Sequence, residues 1–281
     1  MPVTLTLMTL AGVAFAAPVV AGHIVLSAER GSPPSPSLAW TSMFLREVAA
    51  NAAAITAMPL GWTESAPAFT GPIARTEHRT PVVLVPGFGM NRSCFFPMQA
   101  ALRARGWSWV HAVNRGPRGG RIPTYARHLQ EQVERLCAQS GQEQVDLVCH
   151  SMGGLIAAWY LQELGGDARI RRLVTMGTPW GGTRMAAFRG PLSEGADMLP
   201  DAPLIAALVE PKVPTLCIWS KQDQLIVPSH SACPPWALSA PHQAQELEMV
   251  GHLEMIANFA GIDAVSRALL ASSSLAGGEE E

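Results

Sequence analysis

The sequence predicts an α/β protein with a mostly parallel central sheet, helices on both of its faces, and a hydrophobic helix at the N-terminus. Three observations lead there. From Thr80 onward, short and nearly continuous apolar runs alternate with helical stretches, the pattern of parallel strands covered on both sides. The chain has 281 residues, 48% hydrophobic and only 15% charged, which is enough to bury a large core and too apolar for a disordered chain. Finally, Met1 to Ala28 contains no Asp, Glu, Lys or Arg. A net charge of −2 argues against a nucleic-acid binder, which normally carries a basic domain.

Along the chain, residues 1–28 read as a transmembrane anchor. The apolar run from Val3 to Leu26 is broken only by Thr, Gly, Pro18 and His23, and about 20 apolar residues cross a bilayer as a helix. That reading implies a membrane partner, at a bacterial inner membrane. Two alternatives stay open. Ala14-Phe15-Ala16 resembles a signal-peptidase site, with secretion or a periplasmic location to follow, although no Lys or Arg precedes the apolar stretch. The run also suits a buried helix of the globular domain. Residues 29–75 form a linker with an amphipathic helix: Gly31 to Ser37 is a Pro/Ser spacer, and Leu38 to Met58 is helical up to Pro59. Residues 76–275 form one catalytic domain, with strands expected at Pro81–Val85, Trp107–Val113, Val145–Cys149, Ile170–Met176, Thr215–Trp219 and Gln245–Val250. Helices are expected at Met98–Arg105, Tyr125–Gln139, Leu155–Leu164, Ala202–Val209 and Ile262–Ala271. Ten Arg between Arg75 and Arg135 face three Glu and read as solvating surface charges. Five cysteines without Cys-x-x-Cys spacing argue against a zinc site or disulfide framework, leaving one pair involving Cys233 open.

The chemistry concentrates in three turns. Val145 to Leu155 takes a strand straight into Ser151 and then through Gly153-Gly154 into a helix, the setting of a nucleophile elbow that exposes a serine hydroxyl above a sheet. Upstream, the apolar strand Val82–Val85 runs into Pro86-Gly87-Phe88-Gly89. The backbone N–H groups of Met152 and Phe88, with Gly89 as the alternative, are placed to form an oxyanion hole. Downstream, Asp223 follows the strand ending at Trp219, and His252 lies in a Gly-His turn after the last strand. Ser151, Asp223 and His252 would act as nucleophile, orienting acid and general base. Asp197 and Asp201 remain rivals for the acid, and His150 reads as structural. Gly87, Gly89, Trp180 and Met185 are the candidates for contact with substrate. No metal or organic cofactor is implied.

Taken together, Pro86-Gly87-Phe88-Gly89, His150-Ser151-Met152-Gly153-Gly154, Gly177-Thr178-Pro179-Trp180-Gly181-Gly182-Thr183, Asp223 with Val227-Pro228, and Gly251-His252-Leu253 resemble the bacterial triacylglycerol lipase/esterase branch of the α/β-hydrolases, over about Pro81 to Leu270. Cys149 stands where Gly or Ala is usual, and Pro86 where His is common. The resemblance implies hydrolysis of an ester or lipid substrate through an acyl-enzyme, and in such relatives the stretch corresponding to Arg184–Leu199 often forms a rim or lid. Thioester cleavage, acyl transfer, or a catalytically silent binding protein are the other functions this fold would carry. The oligomeric state is not legible in the sequence.

Overall fold

A computed structural model describes residues 16–17, 19–31, 37–66, 80–117, 119–189 and 194–271. The expected sheet is present. Strands β1 (Val82–Val85), β2 (Val110–Ala112), β3 (Val145–His150), β4 (Ile170–Met176), β5 (Thr215–Trp219) and β6 (Gln243–Glu246) form one sheet in the order β2-β1-β3-β4-β5-β6. Every neighbouring pair is parallel, with Val82 opposite both Val110 and Asp146, Leu173 opposite Thr215, and Leu216 opposite Gln243.

Alternate residues of one strand enter different cores, as the period of two requires. Val83 and Val85 of β1 join Leu147 and Cys149 on one face, under helices α4 (Ile122–Ser140) and α5 (Met152–Glu163). Val82 and Leu84 join Val148 and Val174 on the other, under α3 (Phe96–Ala104) and α6 (Phe259–Leu270). Each fully buried Val, Leu or Phe stabilises the fold by roughly 1.5–3 kcal/mol. α4 shows why these segments are helical: Ile122, Tyr125, Ala126, Leu129, Val133 and Leu136 are buried at three- and four-residue spacings, one apolar stripe. The helix stops at Gly141, whose φ of 70° is the left-handed cap that glycine takes without steric cost.

The order of strands reverses between β1 and β3. β2 lies outside β1 on one side, and the remaining strands follow on the other. In open α/β sheets the crevice at such a reversal, outside the carboxyl ends of the strands, is where ligands bind. The turn after β1 and the turn after β3 meet there.

Two expectations are corrected. The last strand lies at Gln243–Glu246 rather than Gln245–Val250. It is a half-exposed edge strand whose backbone pairing comes from a polar stretch, while Leu247 and Val250 are buried in the connection that follows. The second correction concerns residues 19–30 of the N-terminal segment. Residues 1–15 and Pro18 lie outside the described residues, but residues 19–30 form helix α1, and among the described residues no helix is long and apolar enough to cross a membrane. α1 instead lays Val19, Gly22, His23 and Leu26 against the rest of the protein, the buried-helix alternative. His23 meets Trp40 edge-on at 5.5 Å between centroids, Arg30 donates to the Lys221 carbonyl, and Glu29 pairs with Arg184. Trp40 belongs to α2 (Leu38–Ala57), which Ser37 caps by accepting from Trp40 N at 3.1 Å.

Candidate active site

β3 delivers its chain into Ser151 with φ 54° and ψ −127°, and α5 begins at the next residue. A positive φ on a residue with a Cβ costs energy and persists only where the surroundings enforce it. Here Ser151 N donates to the Met176 carbonyl at 2.8 Å, and the Thr178 hydroxyl donates to the Ser151 carbonyl at 2.9 Å. A Cβ on Gly153 would collide with the Val85 carbonyl, so β1 and α5 come this close only because that residue is glycine.

The turn after β1 lies against the serine. A Cβ on Gly87 would come within 2.7 Å of the Ser151 Cβ and 3.3 Å of its Oγ. Phe88 is half-buried and packs on the core, Gly89 is exposed with φ 69°, and Met152, fully buried, opens α5. The first amides of a helix have no intrahelical acceptor and sit at its positive end.

Asp223 and His252 come together at the other side of the sheet's carboxyl edge. Asp223 is 0% exposed; its Oδ2 lies 2.8 Å from His252 Nδ1, while its Oδ1 accepts from Leu225 N at 2.9 Å and Ile226 N at 3.0 Å. Burial on its own would depress the His252 imidazolium. The Asp223 charge and hydrogen bond, with the charge of Glu47, outweigh it and raise the pKa above the ordinary histidine value. Beneath the pair, Gly177 adopts φ 58°, and a Cβ there would stand 2.8 Å from Asp223 Oδ2 and 3.1 Å from His252 Nδ1. The Gly177-Thr178 segment thus supports both Ser151 and the acid–histidine pair.

His150 is held at the His252 backbone: its Nε2 donates to the His252 carbonyl at 3.0 Å, with ring centroids 4.5 Å apart. Burial first, and the neighbouring His252 second, push its pKa well down, so it stays neutral. Of the rival acids, Asp197 is bound by the Arg121 guanidinium and by Ile122 N at 3.1 Å, at the start of α4, and Asp201 is exposed. Trp180 is 6% exposed and meets Trp236 edge-on at 5.0 Å, while Met185 is half-buried on the turn Arg184–Arg189. All five cysteines are free. Among the described residues no group of three His, Cys, Asp or Glu is placed to hold a metal ion.

The sequence reading missed two polar side chains at this site. Gln224, next to Asp223, accepts from His252 N at 3.2 Å, and Glu47 of α2 is fully buried beside it. The only signal was Glu47's place on the buried stripe with Met43 and Ala54.

Comparison with known proteins agrees with the topology. A family model described as the alpha/beta hydrolase fold matches residues 80–193, which include Ser151 and the turn after β1. Among solved structures, the mature form of a Bacillus licheniformis lipase superposes with a TM-score of 0.59 at 12% identity, over 74% of this chain and 99% of that one. An esterase from Exiguobacterium antarcticum gives 0.53 at 18% identity over 68% and 92%, and Aspergillus fumigatus lipase B gives 0.55 at 16% over 73% and 56%. The parallel sheet reversing between β1 and β3, the strand–serine–helix turn at the reversal and the sequence match across it show that this chain has the α/β-hydrolase fold.

Proposed function

We propose that the protein is a serine hydrolase that cleaves carboxylic esters through an acyl-enzyme. The observation that carries this is the buried Asp223–His252 bond of 2.8 Å at the same edge of the sheet as the strained Ser151 turn. The Ser151 hydroxyl attacks the ester carbonyl as His252 Nε2 takes its proton. Asp223, bonded to Nδ1, fixes the ring in the tautomer that leaves Nε2 free to accept and then stabilises the imidazolium. The amides of Met152 and Phe88 hold the tetrahedral oxyanion, each contributing roughly 2.7–4 kcal/mol, with Gly87 letting that turn approach the serine and Gly89 taking the left-handed φ of 69° that follows it. His252 returns the proton to the departing alcohol. Water, activated by the same histidine, then releases the acid. We assign Met185 and Trp180 to contact with the substrate, Met185 on the acyl side.

Esterase and lipase names among the structural neighbours support an ester substrate, at identities that carry the fold alone. The test is labelling with a fluorophosphonate, followed by turnover of p-nitrophenyl esters of increasing acyl length. Wild-type protein should label once and turn over, and Ser151→Ala should do neither. Equal labelling of both proteins, or no labelling of the wild type, rejects the reading.

A further inference from the structure

The histidine turn is gripped from outside the sheet domain. Two consecutive residues of α2 reach it. Arg46 donates from Nε to Glu254 Oε1 at 2.5 Å and from Nη2 to the Met249 carbonyl at 2.8 Å. Glu47 takes the inner side: its carboxylate accepts from Leu253 N at 3.0 Å, Glu254 N at 2.8 Å, Gln224 Nε2 at 2.7 Å and Asn51 Nδ2 at 3.0 Å. A carboxylate buried this deeply persists when its oxygens are met by donors, and each of these partners is a donor. Gln224 then passes the contact on, because its Oε1 accepts the backbone N–H of His252. The approach depends on Gly251, where a Cβ would fall 2.5 Å from Glu47 Oε2. It is also braced by α1, where a Cβ on Gly22 would meet the Gln224 carbonyl at 2.5 Å.

We propose that Glu47, through Gln224, is a positioning residue for the acid–histidine pair, so that α2, lying before the sheet, completes the catalytic apparatus. The inference rests on the serine-hydrolase reading. Asp223 and His252 sit on separate turns after β5 and β6, and one carboxylate ties both: Leu253 and Glu254 from the histidine side, Gln224 from the acid side. The strained Met249, φ 52°, stands between β6 and the histidine, so the turn needs outside restraint to stay in one arrangement. Glu47, whose own pKa is raised by burial against these hydrogen bonds, acts on His252 through its charge together with Asp223, while His150 faces the same ring and Glu254 is paired with Arg46.

The experiment uses the full chain as wild type, Glu47→Gln and Gln224→Met, with rates counted per fluorophosphonate-titrated serine. Each variant is expected to lose at least about tenfold in kcat with KM within about twofold, the signature of a group that acts on the transition state. In Glu47→Gln alone, which removes a charge, the acid limb of the pH profile and the NMR titration midpoint of His252 should move to lower pH. In both variants the downfield Nδ1 proton of His252 should weaken or exchange faster. A role confined to stability would lower the melting temperature and the titratable fraction but leave kcat per site, the midpoint and the Nδ1 proton at wild-type values, and that result overturns the proposal. If Glu47→Gln does not fold, Gln224→Met decides it by kcat per site and the Nδ1 proton. If wild-type protein neither labels nor hydrolyses esters, the ester reading has failed, and the His252 resonances still decide this one.

Discussion

Replacing Asp223 with asparagine keeps the volume and removes one acceptor. In the structure Asp223 serves three donors: Leu225 N and Ile226 N at Oδ1, and His252 Nδ1 at Oδ2. Asparagine has one oxygen and one NH2. With the oxygen on the two backbone amides, the NH2 faces Nδ1, which must then be the unprotonated nitrogen. Nε2 carries the proton and has no lone pair for that of Ser151. With the oxygen turned to the histidine, the NH2 is pressed against two buried N–H donors, at about 1–3 kcal/mol for each group left unpaired. The first orientation wins and locks the inactive tautomer. In serine proteases that trap lowers kcat about 10⁴-fold, close to 5.5 kcal/mol of barrier. We expect a loss of that order in p-nitrophenyl ester turnover for Asp223→Asn, with an unchanged far-ultraviolet circular dichroism spectrum. The acid limb should also move to lower pH, since without the Asp223 charge burial dominates His252. A folded Asp223→Asn enzyme within about tenfold of wild type would refute the assignment of the acid.

Asp197→Ala is the converse. It strands Arg121 and Ile122 N, so the melting temperature should fall, by the equivalent of about 1–3 kcal/mol discounted for the half-exposed guanidinium, while kcat stays within about twofold. A collapse of kcat would return the acid role to Asp197. Asp146, buried at the start of β3 and bonded to Arg171 at 2.9 and 2.5 Å, has its pKa raised to about 6, chiefly by burial. A folded pKa above the unfolded one of 3.8 means that the stability from this carboxyl is full below about pH 3.8 and is lost as pH rises through about 6, by about 3 kcal/mol in all. Urea unfolding between pH 5 and 8 should therefore show wild type losing stability relative to Asp146→Asn. Parallel pH dependences would contradict the burial argument.

What was legible follows from how local each signal is. Ser151 sits in a strand–turn–helix whose glycines are demanded by close approach, and β1 to β5 announced themselves as apolar runs because both faces are covered, whereas β6, a polar edge strand, carries no such signal. Asp223 and His252 were legible as turn residues after late strands, but what separates Asp223 from Asp197 is tertiary: Asp223 meets His252, while Asp197 is bound by Arg121, seventy-odd residues away in sequence, and by Ile122 N. Residues 19–30, the described part of the N-terminal run, were misread for a physical reason. A bilayer and a protein surface reward the same apolar residues, so hydropathy alone does not distinguish them. The discriminating pattern is the stripe Val19, Gly22, His23 and Leu26, buried while Val20 and Ile24 on the other face stay exposed. Glu47 was passed over because a charge on an amphipathic helix ordinarily faces water. Apart from Asn51, four residues on, its partners lie more than 170 residues downstream, beyond any local rule.

Those distant contacts bear on how the proposed general base would work where it is. His252 is buried, and burial disfavours the imidazolium that the proposed mechanism forms when it accepts the Ser151 proton. One carboxylate, Asp223, opposes that at Nδ1. The second, Glu47, adds its charge from behind the turn while holding it through backbone N–H groups and Gln224. The His252 main chain is meanwhile fixed at N by Gln224 and at O by His150. With N, O and Nδ1 each bound, the ring has little freedom to swing, and Nε2 is left as the one nitrogen for proton transfer. Such a histidine is preorganised at the expense of burying a second anion. The two N-terminal helices shield this carboxylate, and α2 adds the Asn51 donor to those of Leu253, Glu254 and Gln224, which is a reason for these helices to be packed beside the proposed triad rather than apart from it.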